Sequence, residues 1–302
     1  MCGIVGLHLR TPELYPQLGE LVTGMLCEMG DRGSDSAGVA IYGDPNWSPP
    51  GSGCVSVADL GTGRLEAADT VAAAVGEALG GEVTCVAVDV SYVLSARVDS
   101  EVLLSALRTV YPQALIAGFG SDIAVLKGVG HPRALTDGWG LSKAQGWQGV
   151  GHTRMATESA VTPAGCHPYA VGPGQCMVHN GSFANHATIR RELRSAGVNF
   201  DSENDTEVGA RFIAKELSEG RDVETALKAL CATFDGFYTL LVSNRDSFAV
   251  VRDAIACKPA VIAETDDWVA MGSEYRALAA LPGVEKAKIW EPEPEVVYAW
   301  SR

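Results

Sequence analysis

The sequence is short of the features that mark several large functional classes. No apolar run approaches the ~18 residues a bilayer-spanning helix needs, although hydrophobic residues fill 47% of its 302 positions. A membrane role is not expected. The opening MCGIVGLHLR has neither the basic start nor the small-residue cleavage site of a secretory signal, so a cytoplasmic location is expected. Basic residues are few, 23 Lys and Arg against 37 Asp and Glu, for a net charge of -14. Such a chain repels a phosphate backbone, which argues against nucleic acid as a partner. The Gly-x-Gly triplets never extend to GxGxxG after a strand, and no GK[ST] occurs, so nucleotide binding has no support. Eight cysteines are present without a single CxxC, and Cys166-His167 and Cys176…His179 lack a second matched pair. No metal and no cofactor is expected in this chain.

What is present reads as a soluble α+β chain, long enough to bury a core without staples. Apolar spacing predicts strands at CGIVGLHL and AGVAIY and a helix over 14–29. The turn-rich GDPNWSPPGSG then marks a boundary. Beyond it lie a helix over 68–79, a strand-like run over 83–94, a helix over 100–110 and two further strands. This stretch is expected to be a small α/β insertion at about 52–146 within one domain spanning 1–302. Helices over 185–195, 206–218 and 223–233 follow, then a strand series from FYTLLVS to EVVYAW. Strands and helices are grouped rather than alternating, which favours layered α+β packing over a doubly wound sheet.

Four segments carry candidate chemistry. In MCGIVG, loss of the initiator would leave Cys2 with a thiol and a free α-amine; alternatively, a free cysteine simply packs as a small hydrophobe. In GHTRMAT, Arg154 has a planar fork suited to a carboxylate, or to an ordinary surface salt bridge. HNGSF offers Asn180 and Gly181, a dipeptide that also suits a tight turn. In ENDTEV, Asn204, Asp205 or Thr206 would cap the next helix, and a carboxylate there would also receive an ammonium. Together they describe an acyl-transfer site. The α-amine, with a pKa of ~7.7–8.0, takes and returns the thiol proton. Asn180 and the Gly181 N–H supply oxyanion donors. Arg154 and Asp205 grip the two charges of a free amino acid.

MCGIVG, RGSDSAG, GHTRMAT, HNGS and NDTE, in this order, resemble the class II glutamine amidotransferases. VVRDAIACKPAVIAETDDWVAMGSEYRAL is similar to the closing strands of their glutaminase domain. The resemblance implies the four-layer αββα sandwich of the N-terminal-nucleophile hydrolases. It also implies Cys2 as nucleophile, Asn180 and Gly181 as oxyanion hole, Arg154 on the glutamine carboxylate and Asp205 on its ammonium. The wording GHTRMATESAVTP and the ending WEPEPEVVYAW resemble the separate glutaminase subunit of glutamate synthase-type and N-methylglutamate synthase-type complexes. That likeness implies ammonia channelling to a synthase subunit, one that carries flavin and iron–sulfur centres. A non-catalytic assembly subunit and a free-standing amidase of the same fold are the alternatives. Two departures stand out. Asp31 occupies a position where many members have histidine, and Met155 one where others have an aromatic residue. The loop after Arg154, through Ser159 to Cys166, is a candidate lid.

Overall fold

Alternation along the first strand shows how the chain layers. In β1 (Gly3–Leu9) of the computed structural model, which describes residues 2–155 and 161–302, Val5, Leu7 and Leu9 join one core cluster and Ile4 another. Side chains two apart share a face, so both faces of this strand are buried under something. On one side lies α1 (Leu18–Glu28), whose Val22, Met25 and Leu26 meet Val5 and Leu7. A second sheet lies on the other.

The remaining elements follow in order. After β2 (Ser36–Tyr42) come β3 (Gly53–Asp59), α2 (Ala68–Leu79), β4 (Thr84–Val88), β5 (Ser91–Ala96), α3 (Ser100–Val110), β6 (Leu115–Ser121) and β7 (Ile123–Val129). Next are α4 (Pro132–Trp139), β8 (Gln148–Arg154), β9 (Cys176–Phe183), α5 (His186–Ser195), α6 (Asp205–Ser218) and α7 (Val223–Thr233). The chain closes with β10 (Gly236–Ser243), β11 (Ser247–Arg252), β12 (Val261–Glu264), β13 (Trp268–Gly272), β14 (Lys288–Trp290) and β15 (Tyr298–Ser301).

The strands form a seven-stranded sheet, β14-β12-β13-β1-β8-β2-β7, a four-stranded sheet, β15-β11-β10-β9, and a third, β4-β5-β3-β6. Among the described residues every strand pairing is antiparallel. Ile4, Ala40 and Val150 of the first sheet pack on Val178, Leu241 and Val250 of the second. The outer face of the second sheet is covered by α5, α6 and α7 through Ile189, Ile213 and Leu227. The order is therefore helix, sheet, sheet, helix, an αββα sandwich of the N-terminal-nucleophile type.

Two local readings change. Pro16 has no N–H to enter the α ladder and crowds the preceding turn, so the helical pattern from Leu14 begins as a 3-10 turn, Pro12–Gln17, and becomes α-helix only at Leu18. The strand-like run over 83–94 is a hairpin: Asp89 turns left-handed at φ 53° and folds β5 back on β4. The segment at about 52–146 divides between two places. Strands β3 to β6 build the third sheet, with α2 and α3 on it, whereas β7 pairs with β2 in the seven-stranded sheet. The short helix α4 packs Trp139 into the cluster around α1.

Candidate active site

Period two also positions the site. Cys2 precedes β1 in phase with Ile4, Arg154 ends β8 in phase with Val150, and Asn180 follows Val178 in phase on β9. All three therefore point into the layer between the sheets, at its rim. The register Gly3↔Thr153 brings the start of β1 to the end of β8, and the Cys2 thiol lies 3.8 Å from the Met155 carbonyl oxygen. Gly33 lets the preceding loop close on this corner, since a methyl group there would sit 2.6 Å from the backbone of Arg154. Arg154 is buried, at 8% exposure.

Asn180 and Gly181 are not a turn. They lie inside β9, which pairs with β10 through its whole length. The Asn180 Nδ2 donates to the Cys2 carbonyl oxygen at 3.1 Å and to Ser273 Oγ at 3.2 Å. Its Oδ1 is 3.0 Å from His152 Nε2. Gly181 adopts φ 136°, a region that side chains avoid, and a methyl group there would fall on the Phe237 carbonyl oxygen.

Asn204 caps α6, its side-chain oxygen accepting from Thr206 N at 2.9 Å, so Asp205 is not needed as the cap. Asp205 Oδ2 instead accepts from Phe183 N at 2.9 Å, fixing the carboxylate two residues along the strand from Gly181. Thr206 Oγ1 meets His179 Nδ1 at 2.8 Å. Of the five predicted site residues, Asn180 thus touches Cys2 and adjoins Gly181, while Arg154 stands at the end of β8 and Asp205 against the end of β9.

The structure adds residues to which the sequence motifs gave no role. Arg32, buried, donates from Nε to the Cys2 carbonyl oxygen at 2.9 Å and from Nη1 to Glu274 at 2.5 Å. That partnership pulls the Glu274 carboxyl below its ordinary range. Ser273 Oγ accepts from Ile4 N at 2.9 Å. The only visible signal for these residues was their place in RGSDSAG and MGSE. Asp31 reaches outward to Arg276 at 3.3 Å, so Arg32 and Glu274 form the wall beside the nucleophile. Of the candidate lid, residues 156–160 lie outside the described residues, and Pro163–Gly165 form a 3-10 turn.

Beneath the rim lies a buried histidine group. The His152 and His167 rings are 4.0 Å apart. Burial lowers His152 to about 3 and His167 well below its ordinary value, and His179 moves down for the same reason. All three are neutral near pH 7. Among the described residues no cluster of side chains suits a metal ion.

Comparison with known proteins gives the family and the fold. Residues 152–280 match the family model described as a glutamine amidotransferase domain. The chain is 45% identical over its full length to a glutamine amidotransferase-like protein, GlxB, of Rhizobium meliloti (strain 1021), covering 98% of that protein. It is 27% identical to a putative glutamine amidotransferase of Methanothermobacter thermautotrophicus, covering 99% of it. The solved glutamine phosphoribosylpyrophosphate amidotransferase from B. subtilis aligns over 99% of this chain and 49% of its own, with a TM-score of 0.60 at 18% identity, a likeness of fold. The chain belongs to the glutamine amidotransferases, in their class II, N-terminal-nucleophile branch. It is a glutamine-hydrolysing enzyme by class.

Proposed function

We propose that the chain is a glutaminase subunit that hydrolyses L-glutamine at Cys2 and hands the ammonia to a synthase subunit. The observation that carries this reading is the Asn180 amide, whose donor end lies on the Cys2 residue itself with Gly181 next to it. Removal of Met1 frees the α-amine, which takes the thiol proton as sulfur attacks the side-chain amide carbon. The oxyanion is held by Asn180 Nδ2 and the Gly181 N–H. The proton passes to the leaving nitrogen, the C–N bond breaks and a thioester remains. Water then releases glutamate and restores the thiol. Arg154 and Asp205 hold the α-carboxylate and α-ammonium, so a simple amide leaves a charge unpaired and is a poor substrate.

Ammonia set free in water near pH 7 is mostly protonated and no nucleophile, which favours transfer within a complex. The GHTRMATESAVTP wording and the closing WEPEPEVVYAW support a glutamate synthase-like or N-methylglutamate synthase-like partner, one carrying flavin and iron–sulfur centres, in the cytoplasm. The test is glutamate release from glutamine by Met1-free protein, alone and with such a synthase subunit, beside Cys2→Ala. Cys2-dependent hydrolysis supports the reading. If the complex neither hydrolyses glutamine nor is alkylated at Cys2 by a glutamine-like electrophile, the reading is wrong.

A further inference from the structure

We propose that His152 is a positioning residue that fixes which end of the Asn180 amide faces the nucleophile; this rests on the glutaminase reading above. His152 sits in β8, 1% exposed, with Nε2 3.0 Å from Asn180 Oδ1 and 3.2 Å from the His179 carbonyl oxygen. A backbone carbonyl only accepts, so Nε2 carries the ring proton. The amide atom beside that proton must then be the oxygen. At the opposite end, Nδ2 faces the Cys2 carbonyl oxygen, a second obligate acceptor, at 3.1 Å. Two carbonyls on opposite sides of one amide therefore demand the same orientation.

The chemistry needs that orientation. A rotated amide would aim its own oxygen at the charge developing on the substrate. In the structure both Nδ2 hydrogens are engaged, one by Cys2 and one by Ser273 Oγ, which already accepts from Ile4 N. Serving the oxyanion means releasing one of these bonds. The bond from His152 lies at the far end of the amide and stays, so it acts as the pivot. Nδ1 of His152 and Nδ1 of His167 are buried without a hydrogen-bond partner among the described residues. A side chain that leaves a buried lone pair unsatisfied costs stability, so what the ring supplies is on its Nε2 side.

The experiment compares His152→Leu, which has no donor, with His152→Gln, which keeps a neutral N–H at similar reach, in Met1-free protein under the glutaminase assay. His152→Leu is expected to lower kcat by roughly tenfold to a hundredfold, as for misplacement of a catalytic group by about 1 Å. KM for glutamine should stay within about threefold, and His152→Gln should recover most of the loss. In an Asn180→Ala background the His152→Leu loss should vanish, because nothing is left to orient. A His152→Leu enzyme as fast as wild type, or a loss that persists undiminished without Asn180, overturns the proposal while leaving the glutaminase reading intact. Nitrogen-15 NMR of the wild-type histidines gives a second readout that no variant's folding can spoil: His152 should be protonated at Nε2 near neutral pH, and protonation at Nδ1 overturns the proposal. Wild-type protein that neither hydrolyses glutamine nor reacts at Cys2 takes down both readings.

Discussion

The Asn180 side-chain amide reaches the Cys2 carbonyl oxygen at 3.1 Å, a contact between residues 178 positions apart that the two facing sheets bring together. If that amide is the oxyanion donor, its removal raises the barrier by about 2.7–4 kcal/mol. Asn180→Ala is expected to lose a hundredfold or more in kcat, read as glutamate release, while Cys2 still reacts with a small thiol reagent. An Asn180→Ala enzyme within a few-fold of wild type would remove Asn180 from the oxyanion hole.

Gly181 answers to backbone geometry as well as chemistry. At φ 136°, with the Phe237 carbonyl oxygen where a methyl group would go, Gly181→Ala is both strained and blocked. Destabilisation of more than about 2 kcal/mol is expected, measured by denaturant unfolding. Turnover should fall too, since relieving the clash moves β9 away from β10 and shifts the Gly181 N–H. An unchanged unfolding midpoint would contradict the pairing of Gly181 with Tyr238 between β9 and β10.

Arg32 ties the backbone of Cys2 to Glu274 by two separate nitrogens, Nε and Nη1. Lysine offers one point charge on a flexible stem and cannot make both bonds at this spacing. Arg32→Lys is expected to lower kcat by roughly tenfold to a hundredfold, in line with loss of positioning, without much change in melting temperature. Glu274→Gln keeps an acceptor and should be milder. An Arg32→Lys enzyme close to wild type beside an impaired Glu274→Gln would mean that the charge of the pair, rather than its geometry, matters.

Local sequence specified much of the frame. Helices α2, α3 and α7 run over the residues that apolar spacing indicates, with Asp99 and Asp222 capping α3 and α7 in the structure. The short α4 is not legible, because eight residues with Gly138 near the end hold only about two turns of pattern. Asn180-Gly181 read alone suggests a turn, and only pairing with Gly236–Ser243 keeps it extended. Asp205 read alone suggests a cap, until Asn204 takes that place. Arg32, His152 and Ser273 gain their roles from contacts across sheets, which a one-dimensional pattern does not record. The motifs, taken together, and the family resemblance both led to the five candidate residues; the structure supplied the contacts around them.

The buried histidines predict a sensitivity to acid. His152 is held at about 3 against an ordinary 6.5, and His167 and His179 are shifted the same way. Below ~6.5 the unfolded chain takes up protons that the folded one refuses, so stability is complete above that pH and declines as pH falls toward about 3. His152 contributes a slope of up to ~1.4 kcal/mol per pH unit in that window, and the downward shifts of His167 and His179 add in the same direction. Melting temperatures recorded from neutral pH downward should fall. The fall should be shallower in His167→Gln, which cannot protonate. Parallel curves for the two proteins would show that His167 takes no part in setting the acid limit.

Lys127 carries a cost at the other end of the scale. It lies in β7 at 7% exposure, with its ammonium 5.0 Å above the Tyr169 ring, beside a small cavity of about 30 Å³ shared with Ser202 and Glu207. Among the described residues no carboxylate forms an ion pair with it; the nearby Asp201 and Glu207 pair with Arg211 at 2.7 and 3.2 Å. Burial brings its pKa down from 10.5 to about 8. The ring and these carboxylates, already paired with Arg211, therefore offset only part of the lost hydration. Replacing the ammonium by an apolar group of similar length removes that penalty, so Lys127→Met is expected to be more stable than wild type at pH 7, by on the order of 1–3 kcal/mol. The sign carries a pH signature. Between about 8 and 10.5 the unfolded chain holds the proton and the folded chain does not, so wild-type stability rises through that range and the advantage of Lys127→Met shrinks to nothing. Denaturant midpoints at pH 7 and near pH 10 for both proteins check this. A Lys127→Met protein less stable than wild type at pH 7 would mean that the contact with Tyr169 outweighs the cost of burying the charge.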